Sequence, residues 1–592
     1  MRRVFVAVAL LKHVASCVYL LLLGLIMLFA KPSDQVKFQV YAMTSLSAPL
    51  YLSFAFTHLL GAISLFVPIR CRRSLTPMRW RSLSVPSRVV QLGNVVETTV
   101  QLLQAWRLSK YTVDVDVCVA YALLVSLAAV STPWPARSDA ARLVNSLTSF
   151  GLSTGFYLVV VVPALLVAKF VDPRVGYSSN WTVRYTLLTR FLAPNSALDL
   201  LEKVILFSAS LWNVRQLVDP MTLMRSSVVA PTAMTSRAIG PLVASFERLA
   251  PSKPARYIVW RLWVKRGLVL YSFSIGLVSA IAGLSVMMAP PHCPPECGMV
   301  ATPWWTNSCT CALLRIECND TNVAYTTNLF SPEQLGSMLF YVQWVRCPLR
   351  NGLNFSSLSQ FPQLYGVTVQ SAQIMTNWSL PPNTAWPPNL LSLNFYDTPF
   401  MDIPPALTVL PTYCQTLTLS QSLTTSTLPP TRPSSWANLA ALLLHDNQLQ
   451  EWPNWIHELR ALERLDVSSN QFNSIPENEL LALPALSRLQ MAQNRVPTLP
   501  YALLAAKPAL VLDLSNNPID KVTSDVVAAR IAARQVLVDG SPFCLAGGDG
   551  CAAVCAPTCS NLARGNNVCE RSCYNRECAF DAGDCAANGT QW

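Results

Sequence analysis

Charge is scarce in this chain. Asp, Glu, Lys and Arg make up 13% of its 592 residues against 52% hydrophobic residues, and the mean hydropathy is +0.34. Soluble domains carry about 25% charged residues, so the deficit excludes an ordinary soluble protein and points to several membrane spans. Histidine is rarer still, at five residues. No P-loop, kinase signature, nucleophile elbow or metalloprotease helix is present, which removes the common hydrolase and phosphotransferase chemistries. The chain is expected not to be an enzyme. Cysteine is nearly missing from the first half: only Cys17, Cys71 and Cys118 of the 18 precede residue 290.

What is present divides at the same point. Residues 1–289 hold 29 Lys+Arg against 10 Asp+Glu, and residues 290–592 hold 15 against 22. The basic excess therefore belongs to the oily half and reads as cytoplasmic loop charge, with no nucleic-acid surface implied. The other 15 cysteines follow residue 290, and dense cysteine implies an oxidising compartment. Four glycosylation acceptors, Asn319, Asn354, Asn377 and Asn588, lie there too. The second half is expected to be lumenal or extracellular, on a multi-pass protein of the plasma membrane or another secretory-pathway membrane.

Spans are expected at about 14–30, 48–69, 115–133, 147–170 and 267–289. Two further segments, 88–108 and 199–218, are ambiguous. In the first, Gln91, Asn94, Glu97, Gln101 and Gln104 make one polar stripe on a helix, suited either to a bundle interior or to the cytoplasmic surface. With the N-terminus inside, five or seven spans both place the C-terminus outside and keep Arg70, Arg72, Arg73, Arg79 and Arg81 cytoplasmic. Seven is favoured, because it also puts the Asn180-Trp-Thr182 acceptor outside. Receptor signatures such as Asp-Arg-Tyr and Asn-Pro-x-x-Tyr are missing at the expected helix ends.

From about residue 360 the chain becomes periodic. "LAALLLHDNQLQEWP", "LERLDVSSNQFNSIP", "LSRLQMAQNRVPTLP" and "LVLDLSNNPI" share L-x-x-L-x-L-x-x-N in whole or part, with Asn447, Asn470, Asn494 and Asn517 at 23- or 24-residue spacing. The pattern resembles the leucine-rich repeat. Its inward leucines imply short stacked strands with a shared core, and its asparagine amide can satisfy backbone groups where the chain leaves each strand. Three earlier, degenerate units put Ala372, Thr398 and Ser422 at the asparagine position, giving seven repeats. Ligands of such folds meet the concave strand face. Positions there include Tyr396, Asp397, His445, Asp446, Glu463, Arg464, Asp466, Arg488 and Gln490. Asp446, Glu463, Arg464, Asp466, Arg488 and Gln490 form the candidate ligand-binding set, a mixed-charge surface suited to a protein or glycan.

Fifteen cysteines leave one without a partner. Cys414 occupies a leucine position of its repeat, so it is expected buried and free. Cys293, Cys297, Cys309, Cys311, Cys318 and Cys347 are expected to form a disulfide cap on the first repeat, with their pairing open and zinc as a rival reading. Cys544 and Cys551 are expected to pair.

The last six cysteines lie in C-APT-C-SNLARGNNV-C-ERS-C-YNRE-C-AFDAGD-C, from Cys555 to Cys585. With Gly565-Asn566 before the third cysteine and Asp581 and Asp584 before the sixth, the segment resembles the Lin-12/Notch repeat. That resemblance implies the pairs Cys555–Cys578, Cys559–Cys573 and Cys569–Cys585. It also implies a calcium ion held by the side chains of Asn566, Asp581 and Asp584 and the carbonyl of Val568. A clustered carboxylate and amide set suits a hard cation independently. Phe580 departs from the family's tryptophan and Ala582 from a glycine.

The expected architecture is an α-helical polytopic membrane domain (1–289) followed by an α/β leucine-rich repeat solenoid and a small disulfide-rich calcium-binding module. The solenoid comprises a cysteine-rich cap (290–350), repeats (351–530) and a C-terminal cap (531–553), with the calcium module at 554–588. The combination resembles multi-span proteins of oomycetes or related protists. The expected function is receptor-like or adhesive binding of an extracellular protein or glycan, with a transporter or channel bearing a regulatory ectodomain as the alternative.

Overall fold

The structure, a computed structural model, describes residues 2–37, 44–66, 87–131, 139–167, 178–192, 194, 196–227, 255–288, 291–318, 330–349, 352–372, 378–557, 559–565, 569 and 571–585. It divides into two compact units, one helical and one built on a single sheet.

In the helical unit, Arg3–Phe29, Ser45–Leu65, Leu143–Ala164 and Arg266–Met288 are long and apolar enough to cross a membrane; Val115–Ser131 is apolar but shorter. The two ambiguous segments are both helical, as Ser87–Tyr111 and Ala197–Ser227, but neither matches those four in length and apolarity combined. The polar stripe faces inward: Glu97, Gln101 and Gln104 are buried, and so are Lys12, His13 and His58. Leu11, Phe29, Phe56, Ile63, Leu270 and Phe273 point outward. The helix beginning at Asp139 passes through a π-helical turn at Gly151–Gly155.

The second unit holds an 11-stranded sheet whose strands follow in chain order. They are β1 (Cys297–Val300), β2 (Cys311–Glu317), β3 (Tyr341–Val345), β4 (Gly366–Gln370), β5 (Ser392–Tyr396), β6 (Thr416–Ser420), β7 (Ala441–Leu443), β8 (Arg464–Asp466), β9 (Arg488–Gln490), β10 (Val511–Asp513) and β11 (Val536–Leu537). From β2 onward all pairs are parallel; β1 pairs antiparallel with β2 and closes that edge. Leu314, Val342, Val367, Leu393, Leu417, Leu442, Leu465, Leu489 and Leu512 stand in one register row. All are buried in one continuous core. Each such side chain contributes roughly 1.5–3 kcal/mol on burial, which no single repeat could obtain alone.

The turn out of each strand is the repeat's signature. Arg346, Ser371, Asp397, Gln421, Asp446, Ser469, Gln493 and Asn516 all have φ between 47° and 58°. Where the next residue is asparagine, it satisfies the backbone that this turn exposes. Asn470 Nδ2 donates to Leu444 O at 2.9 Å and Val467 O at 3.0 Å, and its Oδ1 accepts from Leu449 N–H at 3.0 Å. Asn447, Asn494 and Asn517 repeat the pattern. At the degenerate position Ser422, the hydroxyl donates to Ser420 O at 2.7 Å and accepts from Thr398 N–H at 3.3 Å. A smaller side chain thus does part of the asparagine's work.

The expected boundary at 350 does not separate two structures. β2 and β3 belong to the same sheet as the repeats, and Arg346 carries the first left-handed turn. "LFYVQWVRC" (339–347) is therefore a repeat, with Val342 and Trp344 inward and Cys347 at the asparagine position. Its cysteine and tryptophan masked the leucine pattern. The cap cysteines pair as Cys293–Cys309, Cys297–Cys311 and Cys318–Cys347, while Cys414 is buried and free.

Candidate ligand face and calcium module

The strand register sorts the candidate ligand residues. Ala441, Arg464, Arg488 and Val511 form one row across β7 to β10, and Leu443, Asp466, Gln490 and Asp513 form the next. Arg464 Nε donates to Gln490 Oε1 at 3.0 Å, and its guanidinium lies 3.6 Å from Asp466. Asp466 Oδ1 accepts from Ser468 N–H at 3.1 Å. Glu463 precedes β8, half-buried like Arg464 and Arg488. Asp446 sits one turn away, in the left-handed position after β7.

His445 joins this cluster. Its Nδ1 lies 3.0 Å from both Asp446 Oδ2 and Ser420 Oγ. Burial opposes the charged ring, but the Asp446 hydrogen bond and the Asp466 and Asp446 charges outweigh it and the opposing Arg464. The net result holds the imidazole above its ordinary pKa.

On β3 to β6 the row that continues to Asp466 is neutral and largely buried, and the exposed Arg315 on β2 heads it. The Tyr341 and Thr368 hydroxyls are 2.9 Å apart, Asn394 Nδ2 donates to Tyr341 OH at 3.1 Å, and Thr418 Oγ1 donates to Asn394 Oδ1 at 2.8 Å. Tyr396 ends β5 beyond this row, and Asp397 follows it in the left-handed turn. The sequence reading passed over the row, although "GVTVQ", "SLNFY" and "TLTLS" each place a small polar residue between inward apolar ones.

The C-terminal module is held by Cys555–Cys578, Cys559–Cys573 and Cys569–Cys585, the pairs that the repeat resemblance implies; Cys544–Cys551 precedes them. Cys559, Cys573 and Cys578 are its small core, as expected for so short a segment. Ala579, Phe580, Asp581 and Ala582 all have φ between 52° and 62°, and Gly583 follows at 96°. This left-handed turn buries Asp581 completely, where Oδ1 accepts from Gly565 N–H at 3.0 Å; Asp584 is half-buried. A fully buried carboxylate with a second acid three residues on fits a hard cation's oxygen-donor set. Asn566 and Val568 lie outside the described residues.

Sulfur is a poor alternative ligand here. The Cys293, Cys297 and Cys309 sulfurs cluster within 4.8 Å, and so do those of Cys555, Cys559 and Cys578. All six are spent in disulfides and offer no thiolate. Among the glycosylation acceptors, Asn354 is exposed and caps the helix Phe355–Leu358. Asn319, Asn377 and Asn588 lie outside the described residues.

The module is seated on the last repeats. Ser560 Oγ donates to Asp513 Oδ2 at 2.7 Å, and Asn561 Nδ2 donates to Asp539 Oδ2 at 3.0 Å. Arg534 forks onto both Asp539 oxygens at 2.7 and 2.6 Å, and Ala552 N–H reaches Asp539 Oδ1 at 2.9 Å. Burial raises the Asp513 carboxyl despite its Ser515 and Ser560 donors. Burial pushes Asp539 the same way, but Arg534, Ala552 and Asn561 reverse it and hold it below the usual carboxylate range. The expected C-terminal cap at 531–553 thus carries an anchoring acid, Asp539.

Residues 550–586 match the LNR domain of the Notch family. No curated protein matches the chain. Among solved structures, the chain is similar to a leucine-rich repeat protein of Leptospira interrogans, at 19% identity over 35% of this chain and 56% of that one, with a TM-score of 0.28. It is also similar to the InlP protein of Listeria monocytogenes, at 19% identity over 39% and 62%, with a TM-score of 0.29. A third is the leucine-rich repeat ectodomain of the Arabidopsis thaliana receptor kinase GASSHO1/SCHENGEN3, at 19% identity over 35% and 28%, with a TM-score of 0.26. The chain therefore spans less than two thirds of each of these three. It carries leucine-rich repeats followed by an LNR module.

Proposed function

We propose that this is a multi-pass surface membrane protein that recognises an extracellular protein through β7 to β9 of its repeats. The observation that carries the reading is the contiguous mixed charge on β8 and β9 of that face. Arg464, Asp466, Arg488 and Gln490 form one contiguous polar patch, beside a neutral row on one side and the seated LNR module on the other. Part-buried, oriented charges of both signs suit a complementary protein surface; a glycan is the second ligand class. The outward apolar side chains and inward polar ones of the helical unit suit a hydrocarbon surround. The disulfides of the sheet unit support an oxidising compartment for it.

A calcium ion would be held by Asp581 and Asp584 with Asn566 and the Val568 carbonyl, cross-linking a module that has little apolar core. The full chain in lipid nanodiscs, screened against a surface-protein array, tests the binding reading. A specific partner whose binding falls at least tenfold in Arg464→Ala/Arg488→Ala supports it. A partner that binds this variant unchanged refutes the assigned face.

A further inference from the structure

The helical unit buries ionisable groups that the ectodomain reading does not use. Lys12 is 1% exposed and Glu97 7%. Glu97 Oε1 accepts from Gln101 Nε2 and Ser149 Oγ, both at 3.1 Å, and from Asn213 Nδ2 at 3.3 Å. Lys12 Nζ donates to Ser146 O at 2.8 Å and Ser146 Oγ at 3.2 Å. Lys12 thus binds Ser146 and Glu97 binds Ser149, one helical turn apart on the same helix.

Two independent features mark this place as more than a structural lock. Gln101 Oε1 is buried with no hydrogen-bond partner, an orphaned acceptor beside the carboxylate. The helix bearing Ser146 and Ser149 breaks into the π-turn Gly151–Gly155 directly afterwards, and such turns concentrate at functional sites. The hydroxyl line continues past it: Ser153 Oγ donates to Ser210 Oγ at 3.1 Å, and Thr154 Oγ1 lies 3.2 Å from Ser16 Oγ. Among the described residues, His13 and His58 lie 3.1 Å apart and Lys203 donates to Tyr157 OH at 2.7 Å. Charges buried at membrane depth cost several kcal/mol each, and where they persist they commonly mark ion and proton paths.

We propose that the helical unit moves protons across the membrane, with Glu97 and Lys12 as the carriers. In the transfer step an N–H bond of the Lys12 ammonium breaks and an O–H bond forms on the Glu97 carboxylate, with a water relaying the proton between the Ser146 and Ser149 ends. Ammonium and carboxylate become amine and carboxylic acid, with no net change of charge. Glu97 then releases its proton to water, and Lys12 takes one up from water. Gln101 and Asn213 can turn their amides to follow the change at the carboxyl. The inference goes beyond ligand recognition and rests only on the membrane-embedded part of that reading.

The test is full-length protein in phosphatidylcholine vesicles loaded with a pH-sensitive dye, under an imposed potential. Wild-type protein should change the lumenal pH faster than protein-free vesicles, and Glu97→Gln should lower that rate at least tenfold. Lys12→Gln should do likewise. Should Glu97→Gln not fold, Ser149→Ala takes its place, with a several-fold loss expected. A wild-type rate equal to that of empty vesicles, an unchanged rate in a folded Glu97→Gln, or sodium flux without proton movement would each overturn the proposal. Alkaline extraction separates the two readings: protein that stays with the vesicles but passes no protons refutes this inference alone, whereas protein that washes off refutes the membrane reading.

Discussion

Ser560 of the LNR module donates to Asp513 of the last full repeat at 2.7 Å, and both are buried. Asp513 stands in the same register row as Asp466 and Gln490, so the module occupies the C-terminal end of the row that carries the candidate ligand patch. The calcium proposed for the module would thereby be mechanically joined to order at that end of the sheet. Chelating calcium from the full-length protein should raise protease sensitivity and hydrogen exchange first within 555–585 and then at β10 and β11. Asp584→Ala should reproduce this without a chelator. Protection of β10 that is identical with and without calcium would break the link.

Asp539 gives the same junction an acid limit. Its folded pKa lies below the unfolded value of about 3.9, so its stabilising contribution is complete above that pH and is lost as pH falls through the lowered folded value. Asp539→Asn should destabilise the C-terminal end at pH 7. It should also flatten the acid limb of the stability profile, as read by thermal unfolding from pH 7 to pH 3. A variant whose acid limb matches the wild type would show that another group sets it.

His445 works in the opposite sense. Its folded pKa is raised above about 6.5, so its contribution is fully present below the unfolded value and is lost as pH rises through the folded one. Asp446→Asn removes the main partner of the charged ring. It should cost stability at pH 6 and little at pH 9, with the His445 imidazole resonance titrating at lower pH in the variant. A pH-independent cost would mean that Asp446 acts on the left-handed turn instead.

Much of this was legible because the repeat has one period and one physical rule. Asn447, Asn470, Asn494 and Asn517 gave the register, and extending that register placed Ala372, Thr398 and Ser422 correctly after a left-handed residue. The rule is masked at Cys347, where a cysteine stands for the asparagine and Trp344 for a leucine. The LNR disulfide pairs followed from the resemblance to the Lin-12/Notch repeat, carried over cysteine by cysteine. The contacts of Ser560, Asn561 and Asp539 were not legible, because docking between neighbouring modules leaves no periodic trace. The inward stripe of Glu97, Gln101 and Gln104 showed its helical period, but only packing chose between bundle interior and surface.

Ala582 makes the sharpest local test. The LNR resemblance implies glycine here, and the residue lies in the left-handed run at φ 53°. An L-residue in that conformation costs roughly 1–2 kcal/mol, a penalty glycine escapes, while glycine's greater freedom in the unfolded chain returns part of the gain. Ala582→Gly should therefore stabilise the module by about 0.5–1 kcal/mol. It should also tighten calcium binding, since Asp581 and Asp584 flank the relaxed turn. Calcium titration of the full-length variant, followed by hydrogen exchange across 555–585, reads both effects. A weaker calcium response together with lower protection would show that the turn depends on the alanine methyl and that the family's glycine serves another purpose.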